Sequence, residues 1–295
     1  MTVQALDLFA GGGGVAVAMR ALGIEADHVE LDPLACATLR AAGERDVHCM
    51  DVRKFLGVAP PRYRPDLLWS SHPCPKWSTA TSRTREKAVD GWPWTLDIID
   101  ALRPPVVCVE NVKNAPAAAW ALDLQRRGYK TWHGVLNAQW YGVPQSRRRV
   151  IVIATLGGKQ PRVPAETVSE PLPMRGALDP IGDRAAYPRC FGRAASEPWR
   201  LDQPSPTVMT TEVKGTRASA ASGGTFHGGP DRVSDAVFLA LGMRRINEQE
   251  AARLQGFPEG YPFQGTSAAR YRQIGNAVPP PLALAVLREG LRVMP

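Results

Sequence analysis

DLFAGGGG, Asp7 to Gly14, joins an apolar run to a stretch with helical spacing, and its reading sets the fold of this 295-residue chain. VQALDLF has the character of a buried strand, and GGVAVAMRALG reads as the helix after it. Glycines at such a junction let the backbone turn tightly and approach a ligand closely, beside the electropositive start of the helix. A tight turn with no ligand would look the same, so the following strands must separate the readings. ADHVEL, the second strand, ends at Glu30 and Leu31, where an acidic side chain can bind the two hydroxyls of a ribose. Asp51, after the third run DVHCM, is placed to accept from an adenine amino group, and Phe9 could pack against the adenine ring. Three successive strand ends therefore offer groups suited to an adenosine moiety. The glycines are not followed by a Walker-type lysine, which favours a nucleoside cofactor over a triphosphate.

The alternation continues outward. DPLACATLRAAG opens with Asp32 as N-cap and Pro33 at the first helical position, and Gly43 lies just past its end. DLLWSS, VVCVEN and RVIVIAT are further short β-rich runs, and TLDIIDALR and AAAWALDLQRRG between them have helical spacing. This pattern predicts an α/β fold, a parallel sheet covered by helices on both faces. Residues 156–235 hold ten Gly and ten Pro in eighty positions, against thirty-four of the two types in the other 215. That density is too high for regular βα units and predicts a small loop-rich domain. Helical signals return at INEQEAARLQGFP, where Asn247 and Glu250 form a capping-box pair and Gly256 and Pro258 stop the helix. A last helix starts in PPPLALAVLREGL. The expected organisation is a catalytic and cofactor-binding domain over 1–155, a small domain over 156–262, and a segment over 263–295 that returns to the first.

Composition narrows the class. An apolar share of 44% supports a sizeable core. The five cysteines are scattered, without a CxxC pair or a His/Cys cluster, so neither a disulfide framework nor a metal site is expected. The net charge of +8 suggests a polyanionic partner. There is neither an apolar run of membrane-spanning length nor a signal-peptide pattern, so a cytoplasmic location and no membrane partner are expected.

Three features carry chemistry beyond the nucleoside. Cys74, in SSHPCPKWST, follows the fourth strand, where open α/β sheets place ligands. Isolated cysteines are more often inert core residues, but Pro73 and Pro75 fix the loop without adding packing volume. Glu110 ends the fifth strand after four apolar residues, a costly place for a charge unless it is functional or paired. In QSRRRV, strand alternation points Arg147 and Arg149 to one side and Arg148 to the other.

Taken in order, DLFAGGGG, VELD, DV, PCPKWS, ENV, QSRRR, RRINEQEAARLQGFP and QIGNAVPPPLA closely resemble the blocks of cytosine-5 DNA methyltransferases. The unmatched part, roughly 156–240, falls where that family carries its variable target-recognition region. The resemblance implies a Rossmann-like methyltransferase fold with a mostly parallel sheet plus a small target-recognition domain. It implies S-adenosylmethionine as cofactor, held by Asp7, Phe9, Ala10, Gly11, Gly12, Gly13, Glu30, Leu31, Asp51 and Val52, with Asn276 and Ala277 closing the pocket. It also implies that the Cys74 thiolate adds to carbon 6 of a flipped cytosine. Glu110 would bind ring nitrogen 3 and the exocyclic amine, and Arg149, with Arg147 beside it, the carbonyl oxygen or the loop carrying Cys74. Double-stranded DNA is the implied partner, joined by a cognate restriction endonuclease where a restriction–modification system is present; a monomer is expected. Ser78 belongs to the loop facing the DNA. Lys214, Thr216 and Arg217, in the polar and basic TTEVKGTRAS, are candidate base contacts.

This sequence departs from the family pattern at Pro75, where glutamine is usual, which leaves the nucleophile in place and changes its neighbour. Two rivals stand beside the DNA reading. One is a tRNA cytosine-5 methyltransferase of the same fold, although the recognition region carries no tRNA-type signature. The other is a catalytically silent DNA-binding relative, against which the presence of Cys74, Glu110 and Arg149 speaks. Pro75 alone hints at transfer of a different group.

Overall fold

Alternate residues of the central strands feed two cores on opposite faces of one sheet. The computed structural model describes residues 2–73, 89–179, 201–208 and 246–295, with the backbone alone at 186–187 and 244–245. Ala5, Leu67, Trp69, Val106 and Cys108 face one way, against α1 (Gly14–Ala21) and α7 (Pro280–Val293). Leu6, Leu8, Leu68, Val107 and Val109 face the other, against α3 (Trp92–Leu102) and α4 (Ala117–Arg126). Both sets are almost wholly buried because a strand sandwiched between helix layers has no solvent face.

The strands are β1 (Gln4–Leu8), β2 (Glu25–Glu30), β3 (Val47–Cys49), β4 (Leu67–Ser70), β5 (Val106–Val112), β6 (Lys130–Asn137) and β7 (Arg148–Thr155). Their order is β3-β2-β1-β4-β5-β7-β6. β1 to β5 are parallel, as the alternation predicts, whereas β7 runs antiparallel to both β5 and β6. The connection from β6 to β7 holds only a short 3-10 turn, Ala138–Tyr141, and is too short for the crossover a parallel pair requires. The sheet is thus mixed and mostly parallel. The sequence reading does not assign β6, an edge strand that is half-exposed, interrupted by Gly134 and without clean alternation.

Asp32 caps α2 (Pro33–Ala41) as expected, accepting from the Leu34 N–H at 2.9 Å. The Asn247–Glu250 capping box opens α5 (Glu248–Leu254) with both reciprocal bonds, at 2.9 and 2.8 Å. α6 (Ser267–Asn276) goes unread in the sequence because it is polar and only four of its residues are buried. α5 and α6 pack with Met174, Leu201, Val208 and the aromatic trio Phe257, Tyr261 and Phe263 in a further cluster. Two two-residue strands, β8 (Ala186–Tyr187) and β9 (Arg244–Arg245), pair in parallel. Among the described residues there is no helix long and apolar enough to cross a membrane.

Candidate active site

The strand order reverses between β1 and β4, and the carboxyl ends of β1 to β5 open there into one cleft of about 960 Å³. Open α/β sheets bind ligands at such a switch point. The antiparallel course of β7 brings its N-terminal end to the same edge, so Arg147 and Arg149 line the cleft with Glu110.

The glycine turn forms the floor. Phe9 and Gly11 both adopt left-handed backbone, φ 59° and 57°, which reverses the chain at once after β1. The Gly11 N–H donates to Glu30 Oε2 at 2.8 Å, while Leu31 and Asp32 N–H groups donate to Oε1 at 2.8 and 2.7 Å. Burial pushes the Glu30 carboxyl up, and these three backbone donors oppose that shift. Phe9, Ala10, Gly11 and Gly12 line the cleft, as do Glu30 and Leu31. Asp51 and Val52 line it from beyond β3, and Asn276 and Ala277 from the end of α6. Both oxygens of Asp51 are engaged by Arg53, which holds its carboxyl down at about 2.

Two residues of the expected cofactor set lie behind this surface. Asp7 is fully buried, and its Oδ2 pairs with His28 Nδ1 at 3.0 Å. Gly13, φ 91°, packs against Tyr261, whose hydroxyl would lie 2.4 Å from an added Cβ and which donates to the Gly12 carbonyl at 3.0 Å. At Gly14 an added Cβ would meet the Val278 carbonyl oxygen at 2.1 Å. The last glycine of the turn therefore admits the C-terminal segment, whose neighbours Asn276 and Ala277 form the opposite wall.

At the far end of the cleft, Arg149 Nε lies 3.0 Å from Glu110 Oε1, both largely buried. Burial raises the Glu110 carboxyl, with Arg149 opposing most strongly. The charge that looked costly in the sequence is therefore paired. Arg147 is also buried: its Nη2 donates to the Gly275 and Ala277 carbonyls at 2.7 and 3.1 Å, and its Nη1 to the Val208 carbonyl at 3.3 Å. Its Nε has no hydrogen-bond partner among the described residues.

Several positioning residues escaped the sequence reading. Gln145 accepts from the Val208 N–H at 3.0 Å and donates to the Leu254 carbonyl and Gln255 Oε1 at 3.0 and 2.7 Å. Gln255 in turn donates to the Ala277 carbonyl at 2.6 Å. This network joins QSRRR, LQG and GNAV, and the motifs carrying those residues were the available signal. Asn111 donates to the His72 carbonyl at 2.8 Å, and His72, buried against Trp92 and Trp120, is pushed down to about 4 by burial. Cys74 and Ser78, and the recognition-region candidates Lys214, Thr216 and Arg217, lie outside the described residues.

The solved Dnmt2 methyltransferase of S. pombe matches over 97% of each chain with a TM-score of 0.66 at 18% identity. The Entamoeba histolytica methyltransferase EhMeth matches over 99% of this chain and 98% of its own, TM-score 0.69 at 15% identity. With the sheet order and the glycine turn, these likenesses define a Rossmann-like methyltransferase fold. The family model for C-5 cytosine-specific DNA methylase matches residues 3–188 and 202–291, and the chain belongs to that family. Its relatives include the type II methyltransferase M.AplI of Arthrospira platensis, 29% identical over 96% of this chain and 84% of that protein. M.NgoMIV of Neisseria gonorrhoeae is 29% identical over 100% of this chain and 99% of that protein. The family model and these type II relatives support methylation of cytosine in DNA.

Proposed function

We propose that this DNA cytosine-5 methyltransferase uses S-adenosylmethionine and works through a covalent Cys74 adduct on a flipped cytosine in duplex DNA. The observation that carries the reading is the convergence on one cleft of the glycine turn, Glu30, Asp51, the Glu110–Arg149 pair and the 276–277 wall. The donor set fits the cofactor. Glu30 is preorganised by three backbone N–H groups and keeps about one lone-pair site, on Oε2, for a ribose hydroxyl. Gly11 and Gly12 keep the floor clear of side chains, and Phe9, Leu31 and Val52 offer apolar surface to a base. When bound, the cofactor supplies an electrophilic methyl group.

The protein's task is to make carbon 5 of cytosine nucleophilic. The Cys74 thiolate adds to carbon 6, forming the C–S bond and leaving electron density at carbon 5. A Glu110 carboxyl raised by burial holds a proton more readily, which suits hydrogen bonding to ring nitrogen 3 during that addition. Arg149 orients Glu110 and, with Arg147, faces the developing charge at the carbonyl oxygen; the orphaned Arg147 Nε is a donor of the right kind. After substitution, loss of the carbon 5 proton and β-elimination break the C–S bond and return the thiolate. A stacked base is out of reach of such a cleft, so the target is flipped. Residues 1–155 with 263–295 serve catalysis, and 156–262 recognition, with Ser78, Lys214, Thr216 and Arg217 toward the DNA. The enzyme acts as a cytoplasmic monomer, beside a cognate endonuclease if it belongs to a restriction–modification pair.

Expression in a methylation-free host followed by bisulfite sequencing tests the substrate: one methylated sequence motif is expected, and uniformly unmodified cytosine would refute the activity. Cys74→Ala should abolish methylation and leave cofactor affinity within about twofold, since in this mechanism the thiol bonds the base and not the nucleoside. Retained methylation in that variant would sink the covalent route.

A further inference from the structure

Arg53 engages both oxygens of the Asp51 carboxylate. Its Oδ1 takes the Arg53 backbone N–H and Nε, each at 3.0 Å, and its Oδ2 takes Arg53 Nε at 3.1 Å and Nη2 at 2.5 Å. Three N–H donors of one neighbouring residue thus engage both carboxylate oxygens, with the single Nε–H shared between them, so about one of the roughly four lone-pair sites is left. The guanidinium lies 4.8 Å from the centroid of the Trp94 ring, on the first turn of α3. That cation–π contact gives the guanidinium a second attachment beside the carboxylate. Asp51, Arg53 and Trp94 all line the nucleoside end of the cleft.

We propose that Arg53 is an internal competitor for the nucleoside: its side chain engages both oxygens of the Asp51 carboxylate, and an adenine amino group binds there at full strength only as the guanidinium loosens its hold. This rests on the reading of Asp51 as the adenine acceptor. Arg53 thereby becomes a determinant of cofactor affinity. Its backbone N–H, fixed by the Asp51 cap, stays in place, so only the side chain exchanges. The pair is partly exposed, with Arg53 58% and Asp51 21% accessible, so the competition is modest. Exposed ion pairs of this kind shift equilibria by about two- to fivefold. An amino group meets a carboxylate whose charge is already shared with the guanidinium. Trp94, freed of its cation, offers a ring face at the same end of the cleft.

Calorimetric titration of the full-length protein with S-adenosylhomocysteine, which lacks the sulfonium charge, tests this at low and high salt. Both positions are at the surface, so the variants should fold. R53A is expected to bind about two- to fivefold tighter than wild type at low salt, with the gap narrowing as salt screens the pair. R53K, which keeps the charge and loses the fork, should fall between the two. D51A should bind more weakly, and D51A/R53A should equal D51A, because the competition needs the carboxylate. An R53A affinity equal to or below wild type, with D51A weakened, would overturn the competitor and leave the acceptor standing. R53K identical to wild type with R53A tighter would assign the gain to charge alone and overturn displacement. Unchanged binding in D51A would remove Asp51 as acceptor and take the proposal with it.

Discussion

Replacing Gly14 by alanine sets two effects against each other. Gly14 opens α1, where alanine has the better helix propensity, a gain of about 1 kcal/mol. Against this, the new Cβ would stand 2.1 Å from the Val278 carbonyl oxygen and 3.4 Å from Ala277 Cβ. The first contact is with backbone, which has no rotamer to turn away. Relief requires α1 and the 277–278 segment to part by about 1 Å, and overpacking of this kind costs about 3 kcal/mol at the upper end of its usual range. The steric cost wins, leaving a net loss of about 2 kcal/mol. A melting temperature lower by about 3 °C is expected by calorimetry. Displacing the segment also pulls Ala277 and Asn276 off the cleft, so the dissociation constant for S-adenosylhomocysteine should rise about tenfold, the equivalent of about 1.4 kcal/mol. Gly11→Ala is the control: a Cβ there meets nothing within 4 Å, so only left-handed strain of about 1 kcal/mol is paid, with a smaller loss of melting temperature. A Gly14→Ala protein that melts within 1 °C of wild type, at an unchanged cofactor affinity, would refute the claim that this close approach holds the wall.

Two further outcomes are expected. Arg147→Met keeps much of the side chain's volume and removes the donors to the Val208, Gly275 and Ala277 carbonyls; it should lower stability by about 3 kcal/mol in urea and raise the cofactor dissociation constant. A variant that loses turnover alone, at full stability and affinity, would make Arg147 a substrate contact only. His72, neutral when folded and pushed down to about 4, is protonated in the unfolded chain below its ordinary value near 6.5. Its contribution is complete above pH 6.5 and is lost as pH falls towards 4, about 2 kcal/mol of it between pH 7 and pH 5. Unfolding free energies from urea titrations at the two pH values should differ by that amount more in wild type than in His72→Phe; an equal pH dependence in the two proteins would count against a neutral buried imidazole.

Features that depend on neighbours within a turn or two were legible in the residues alone. The glycine turn, the Asp32 cap, the Asn247–Glu250 box and the alternation of short apolar runs with amphipathic stretches are local signals, and the elements formed where they stand. The ordered motifs were also enough to identify the family, because chemistry fixes residue types at strand ends. Only the tertiary structure decided which of those ends meet. Arg149 reaches Glu110 because β7 runs antiparallel, a direction set by the short link after the unread edge strand β6. Gly14 is constrained by Val278, Gly13 by Tyr261, and Arg147 by Gly275, 128 positions away. Asp7 looked like part of the cofactor floor and is instead a buried partner of His28, since alternation along the interior strand β1 turns it to the same face as Ala5. Asp51 looked like a free acceptor and is engaged by Arg53, a side-chain choice that periodicity cannot encode. Such contacts depend on strand order and on side-chain geometry between distant segments, and a pattern repeating every two or 3.6 residues carries neither.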